Sequence, residues 1–283
     1  MSSPGPIDPT RTLTLPSSGG TTLHAEVFLP EAAPRGVALM VHGYAEHCGR
    51  YREVAHVLRD AGCAVLGFDL RGHGRSSGPR GHIARWSDYR DDLDAARTAA
   101  AALAPGTPLL AIAHSNGSLV TLEALTGSPR FACKAAVLSS PFLALKLAVP
   151  APKIWLAKAA SAIYPAFAQK NALRPADLTS DPAMQAARVA DTLCHDVASA
   201  RWFTEAGAAQ ARVDAAAPTI AIPTLWLIGG DDPIANPTVA ERIARTVPGA
   251  EVHVLAGFKH EVWNERDRAT PLAQLRTFVD AQL

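Results

Sequence analysis

Cysteine is scarce in this chain of 283 residues: Cys48, Cys63, Cys133 and Cys194 are its 4 cysteines, far apart and without a CxxC pair. Such spacing excludes a disulfide-dense framework and leaves reduced thiols as the expectation. An excess of one charge is also missing, because Lys+Arg 27 against Asp+Glu 26 gives a net charge of +1. With no field of one sign to hold a polyanion by counterion release, nucleic acid is not an expected partner. The opening MSSPGPIDPTRTLTLP has no charged start followed by an apolar run, so no secretory signal is expected. No stretch approaches the roughly 18 apolar residues a membrane span needs, and a soluble, cytoplasmic protein is the expectation. What the chain has in quantity is apolar side chains: 48% hydrophobic residues against 19% charged ones can bury a large core. At about 150 residues per domain the length allows two domains or one large α/β unit.

After a Pro-, Ser- and Gly-rich start, the turn Ser17-Ser18-Gly19-Gly20 separates Thr12–Leu15 from Thr22–Leu29, which reads as a hairpin. Short apolar runs follow at Gly36–Val41, Ala64–Phe68, Leu109–Ala113, Ala135–Leu138, Thr224–Ile228 and Glu251–Leu255, each suited to a buried parallel strand. Helical patterns lie between most of them, at Tyr51–Ala61, Ser87–Leu103, Ser118–Leu125, Thr238–Thr246 and Pro271–Leu283. Alternation of this kind predicts a doubly wound, mostly parallel α/β sheet flanked by helices. From Phe142 to about Ile222 no strand is expected, and prolines interrupt the helical segments. Large apolar residues there, such as Trp155, Trp202 and Phe203, predict a helical insertion over the sheet rather than a linker. The predicted division is therefore a core of residues 1–141 and 223–283 with an inserted unit at 142–222.

In LLAIAHSNGSLVTLEAL, Ser115 stands directly after a strand and directly before a helix. A nucleophile elbow needs this tight turn with small neighbours, so that the hydroxyl projects above the sheet and the helix N-terminus aims N–H groups at the reacting oxygen. Ala113, Ser115 and Gly117 supply an AxSxG version, in which Ala replaces the usual first Gly; the alternative is that Ser115 simply caps the helix. The partners of a serine nucleophile follow in the order acid, then His. Gly229-Gly230-Asp231-Asp232-Pro233 comes after one late strand and Gly257-Phe258-Lys259-His260-Glu261 after the other. Asp232, at the end of a GxxD loop and held extended by Pro233, is favoured over Asp231 to orient His260, the proton carrier. The two backbone donors of an oxyanion hole are expected at Tyr44, in the loop after the first parallel strand, and Asn116. Two decoys carry no such chemistry. The run Gly72-His73-Gly74-Arg75-Ser76-Ser77-Gly78 resembles a dinucleotide fingerprint, but Pro79 and Gly81 stand where its helix belongs. His42, His47, His73 and His82 match no common ligand spacing, so neither a cofactor nor a metal is expected.

These residues together resemble the monoacylglycerol lipase and lysophospholipase branch of the α/β-hydrolases. HGYAEHCGRY at His42–Tyr51 is similar to that family's HGxxEHxxRY, and FDLRGHGRSSGPRGHI at Phe68–Ile83 is similar to its DxxGHGxSxGxRG. SSPFL at Ser139–Leu143, LCHDVASARW at Leu193–Trp202 and FKHEVWNE at Phe258–Glu265 also agree with it. The departure is AHSNGS in place of GHSMGG, which puts a polar Asn116 side chain where an apolar one is expected near the scissile group. The resemblance implies an α/β-hydrolase fold, a helical cap at 142–222 that forms an acyl channel, and a serine esterase that cleaves a single-chain lipid ester such as a monoacylglycerol. A lysophospholipase, a small-ester esterase or a binding homologue without catalysis are the alternatives. In the insertion, Trp155, Ala159 and Ile163 recur at four-residue spacing. That stripe either packs the insertion on the core or dips into a lipid surface for transient contact.

Overall fold

The computed structural model describes residues 8–147, 149–171 and 173–283. The chain runs β1 (Arg11–Pro16), β2 (Thr22–Phe28), β3 (Gly36–Val41), α1 (Arg52–Asp60), β4 (Cys63–Phe68), α2 (Ser87–Ala101), β5 (Leu109–His114), α3 (Asn116–Thr126) and β6 (Ala135–Ser139). It continues with α4 (Ala151–Ile163), β7 (Ala168–Lys170), α5 (Pro175–Leu178), α6 (Pro182–Ala190), β8 (Val197–Ser199) and α7 (Ala200–Ala216) before β9 (Thr224–Gly229), α8 (Pro237–Ala244), β10 (Glu251–Leu255) and α9 (Ala269–Gln282). Eight strands form one sheet in the order β1-β2-β4-β3-β5-β6-β9-β10. β1 pairs with β2 and β2 with β4 antiparallel, and every other pairing in this sheet is parallel. The hairpin and the expected strands are thus present, and the fold is that of an α/β-hydrolase.

Parallel strands covered by helices on both faces must be apolar on both sides. β3, β4 and β9 meet that demand, since every residue in them is buried. Two apolar layers result, one joining Leu39, Leu66, Phe68, Leu119 and Trp226 and the other joining Val65, Leu110, Ile112, Leu225 and Leu275. α1 shows why its segment folds as a helix on that surface: Val54, Ala55 and Leu58 recur at spacings of three and four and are its buried residues.

The insertion between β6 and β9 corrects the expectation of a strandless stretch, because β7 and β8 pair antiparallel there, Ala168 opposite Ser199 and Lys170 opposite Val197. Each is only three residues long and all of β7 is exposed, so no apolar alternation betrays it in the sequence. The stripe on α4 is a second difference. Trp155 is 72% exposed and Ile163 86% exposed, so this face does not pack on the core. Among the described residues no helix is long and apolar enough to cross a membrane.

Candidate active site

Because β3, β5, β9 and β10 are parallel, the loops that follow them open at the same edge of the sheet, where α/β folds place their ligands. Ser115 sits on the loop after β5 with φ 51 and ψ −115, a left-handed conformation that a non-glycine residue adopts only under constraint. The constraint is visible on both sides. The Ser115 N–H donates to Ser139 O at 2.9 Å, while its carbonyl accepts from Leu119 and Phe142 N–H. Gly117 permits the turn, since a Cβ there would lie 2.3 Å from Val41 O and 2.5 Å from His42 O. α3 therefore begins at Asn116, two residues before the expected start, as the strained Ser115 is itself its N-cap.

His260 Nε2 lies 2.8 Å from Ser115 Oγ, and His260 Nδ1 lies 2.6 Å from Asp232 Oδ2. The structure brings all three expected side chains together, each buried. Asp232 rather than Asp231 is the partner; Asp231 is exposed. Oδ1 of Asp232 accepts the N–H groups of Ile234 at 2.7 Å and Ala235 at 3.0 Å, which leaves only Oδ2 to face the imidazole. Gly230 N–H donates to Leu255 O and Asp231 N–H to Phe258 O, so the two loops are stitched to each other. Burial alone would lower the His260 pKa, but the Asp232 carboxylate, helped by Glu261 and Glu46, offsets it and the net shift is upward from 6.5.

The loop after β3 lies against the nucleophile, as a Cβ on Gly43 would sit 3.1 Å from Ser115 Cβ. Among the described residues the Tyr44 N–H has no protein acceptor, and the Asn116 N–H is one of the unpaired first amides of α3. Both can therefore face a bound oxygen. The Asn116 side chain differs from expectation. It is wholly buried, does not line the cavity, and neither of its polar atoms has a partner among the described residues.

Sequence reasoning missed the buried ionic cluster behind this loop. Glu46 accepts from Gly43 N–H and Tyr51 Oη–H, both at 2.5 Å, and from Arg50 Nε at 3.2 Å. Arg50 also donates to Glu261 at 2.7 Å, and Asn264 completes Glu261 at 2.8 Å. The pairing spans 211 residues of chain, and only the motif resemblance marked its members. The other histidines make contacts within the fold. His42 Nε2 accepts from Leu70 N–H, His82 meets Ser199 Oγ, and His73 is buried beside His195 at 4.8 Å between ring centres. His47 lies 2.7 Å from Asp191, and with Cys194 these form a group whose ligand atoms fall within 4.8 Å of one another. The bond between His47 Nε2 and Asp191 ties the β3 loop to the insertion. All four cysteines are free.

Above Ser115 a cavity of about 270 Å³ opens. Phe142, Leu145, Leu147, Leu178, Trp202 and Phe203, all supplied by the insertion, line it. Glu46, Glu261 and Arg188 line it as well. Tyr44 stacks on Trp202 with ring centres 3.7 Å apart and donates to Gly81 O and Val197 O, fixing the insertion to the β3 loop.

A serine on a strained strand-to-helix turn, at the open edge of a mostly parallel sheet, is the architecture of the α/β-hydrolases. The family model described as serine aminopeptidase, S33 (Hydrolase_4) matches residues 32–267, and the chain belongs to that family. It is 31% identical over 269 residues to a monoacylglycerol lipase of Mycolicibacterium smegmatis, covering 94% of this chain and 95% of that one. Phospholipase YtpA of Bacillus subtilis is 29% identical, with 87% and 96% covered. Among solved structures, the monoacylglycerol lipase of Paleococcus ferrophilus superposes with a TM-score of 0.84 at 26% identity, covering 92% of this chain and 99% of that one. The chain is thus a monoacylglycerol lipase-like α/β-hydrolase.

Proposed function

We propose that this protein is a serine carboxylester hydrolase that cleaves single-chain lipid esters of the monoacylglycerol type through an acyl-enzyme. The observation that carries the reading is the unbroken line from Ser115 Oγ through His260 to Asp232 beneath a cavity with a long apolar lining. In this reading Ser115 Oγ attacks the ester carbonyl while His260 Nε2 takes its proton. The tetrahedral oxygen accepts from the Tyr44 and Asn116 N–H groups, worth about 3 to 4 kcal/mol per donor. The ester C–O bond breaks, and His260 hands the proton to the leaving alcohol. Water then attacks the acyl-enzyme, giving its proton to His260, and Ser115 is regenerated as the fatty acid leaves.

Residues 142–222 serve as the cap, since this segment supplies the apolar part of the cavity for the acyl chain. The exposed face of Trp155, Leu156 and Ile163 suits transient contact with the lipid surface from which a single-chain ester is taken. The names of two relatives, a monoacylglycerol lipase and a phospholipase, support this reading.

Replacing Ser115 with Ala tests the mechanism. A p-nitrophenyl ester assay should lose about 10⁶-fold in kcat, and a fluorophosphonate probe should no longer form an adduct. Undiminished turnover by the variant would sink the proposal, and an unlabelled Ser115 in the native protein would favour a binding homologue.

A further inference from the structure

The near-neutral charge of the chain is not uniform. From Lys146 to Arg174 there are five cations, Lys146, Lys153, Lys158, Lys170 and Arg174, and no acid, so the rest of a chain of net charge +1 carries −4. Lys170 is paired with Asp196 at 3.4 Å and Arg174 with Asp177 at 2.7 Å. Among the described residues Lys146, Lys153 and Lys158 make no salt bridge, and all three are exposed. The same stretch carries exposed Leu147, Trp155, Leu156, Ile163, Tyr164 and Phe167. Of the large apolar side chains exposed among the described residues, only Leu145, Val189 and Val254 lie outside it. Apolar surface gathered in this way marks a site of interaction.

α4 sets the two kinds of residue in order. By helical periodicity Trp155, Ala159, Ile163 and Leu156 share an arc of about 100°, with Lys158 about 60° beyond one edge and Lys153 about 60° beyond the other. This is the pattern of a helix lying in a lipid interface, its apolar face among the acyl chains and its lysines reaching the headgroups. Lys158 Nζ lies 5.7 Å from the centre of the Trp155 ring, which keeps the cation beside the apolar face. The two flanks open on hollows. Lys153 and Lys170 line one of about 550 Å³ together with Leu156 and Phe167. Lys158 and Ile154 line another of about 510 Å³, and its Phe142, Leu145, Leu147, Trp202 and Phe203 also line the cavity above Ser115. The cationic, apolar surface thus shares a wall with the catalytic cavity.

A second copy of the chain is a poor occupant, because a two-fold contact through α4 would set the same lysines against each other with no acid between them. A neutral lipid surface would use the apolar arc and leave the lysines unmatched. We propose that α4 and its flanking lysines dock this protein on lipid bilayers of negative surface charge, with Lys146, Lys153 and Lys158 meeting the anionic headgroups. The proposal rests on the reading of residues 142–222 as a cap that takes its ester from a lipid surface, and adds the charge of that surface.

Vesicle binding tests this without turnover. The full chain is sedimented with vesicles of phosphatidylcholine alone and of phosphatidylcholine mixed in equal parts with phosphatidylglycerol. The partition coefficient should be on the order of 100-fold higher on the anionic vesicles, at about fivefold for each unpaired lysine. Raising the salt to about 1 M should remove most of that ratio. Lys146→Gln, Lys153→Gln and Lys158→Gln combined should bring the ratio close to one and leave the urea midpoint as in the native protein, since all three side chains are exposed. Arginine at the same three positions should keep the ratio. A native ratio near one overturns the proposal, as does a glutamine variant that keeps it or a failure to bind either vesicle. Light scattering without vesicles covers the other occupant: a stable dimer that Trp155→Asp with Ile163→Asp breaks would assign the face to a second copy and overturn the proposal. A fluorophosphonate adduct at Ser115 is recorded on the native protein in parallel. Its absence would remove the hydrolase reading while leaving the vesicle ratio to decide the role of the lysines.

Discussion

Asp232→Asn separates orientation from bulk at the site, because Asn keeps the size of the side chain. The backbone fixes which way the new amide must point. Ile234 and Ala235 N–H both aim at Oδ1, so the Asn oxygen takes that place and its NH₂ is left facing His260 Nδ1. A donor there demands a lone pair on Nδ1, which moves the ring proton to Nε2, the nitrogen that must accept the Ser115 proton. The base is then in the wrong tautomer rather than absent. A loss of about 10⁴-fold in kcat is expected, equal to about 5.4 kcal/mol of transition-state stabilisation. The pH profile of kcat/KM carries a second test. In the native protein His260 must be neutral to act, and its pKa lies above 6.5, so ester hydrolysis should rise with pH through a value above 6.5. Without the Asp232 charge, burial is opposed only by the smaller pull of Glu261 and Glu46, and that limb should move to lower pH. Stability should respond with a definite sign. A His pKa raised by folding contributes stability that is present below pH 6.5 and lost as pH rises through the folded value, so native and variant proteins should differ more in urea unfolding at pH 5.5 than at pH 9. A kcat within about tenfold of native, or a limb that does not move, would refute the assignment of Asp232.

Glu46→Ala should be costly twice over, because it leaves Arg50 with a single acid and frees the Gly43 N–H beside the Tyr44 donor. Breaking one partner of a buried pair costs about 3 to 5 kcal/mol, to be read by urea unfolding, and a fall in kcat on a p-nitrophenyl ester should accompany it. Unfolding within about 1 kcal/mol of native would show that the cluster is not holding the loop. Trp155→Asp combined with Ile163→Asp should lower co-sedimentation with lipid vesicles by at least about tenfold, since two large apolar side chains are each worth about 1.5 to 3 kcal/mol on burial. Equal vesicle binding by the variant would rule out contact through α4.

The sheet was legible because its information is local. A run such as Gly36–Val41 is apolar throughout, and only a strand covered on both faces needs that. The line of Ser115, Asp232 and His260 was legible for a different reason: parallel topology sends each strand-end loop to one edge, so chain order alone predicts proximity. The same reasoning fails for Glu46, Arg50 and Glu261. Nothing in the local pattern says that Arg50 turns toward a residue 211 positions away rather than into water, which is the usual fate of an Arg beside a helix start. It fails again at Asn116, where the positive φ of Ser115 rotates the following side chain into the interior instead of the cavity.

The insertion was the least legible part, and its illegibility is physical. β7 and β8 are held by pairing with each other, a contact between segments with no apolar pattern of their own. α4 carries a helical stripe that predicts an apolar face but not what the face meets, and the fold leaves it turned outward. Arg188 reads in the sequence as an ordinary basic residue in the last turn of a helix, where the dipole favours it. Only the fold brings it into the lining of the cavity that Ser115 also lines. The two parts of the chain therefore answer to different substitutions. A change at a strand-end loop, such as Asp232→Asn, should alter how fast any ester reacts, because it acts on atoms common to every substrate. A change in the insertion, such as Phe203→Ala, should alter which ester is taken, because the insertion supplies much of the apolar lining of the cavity above Ser115.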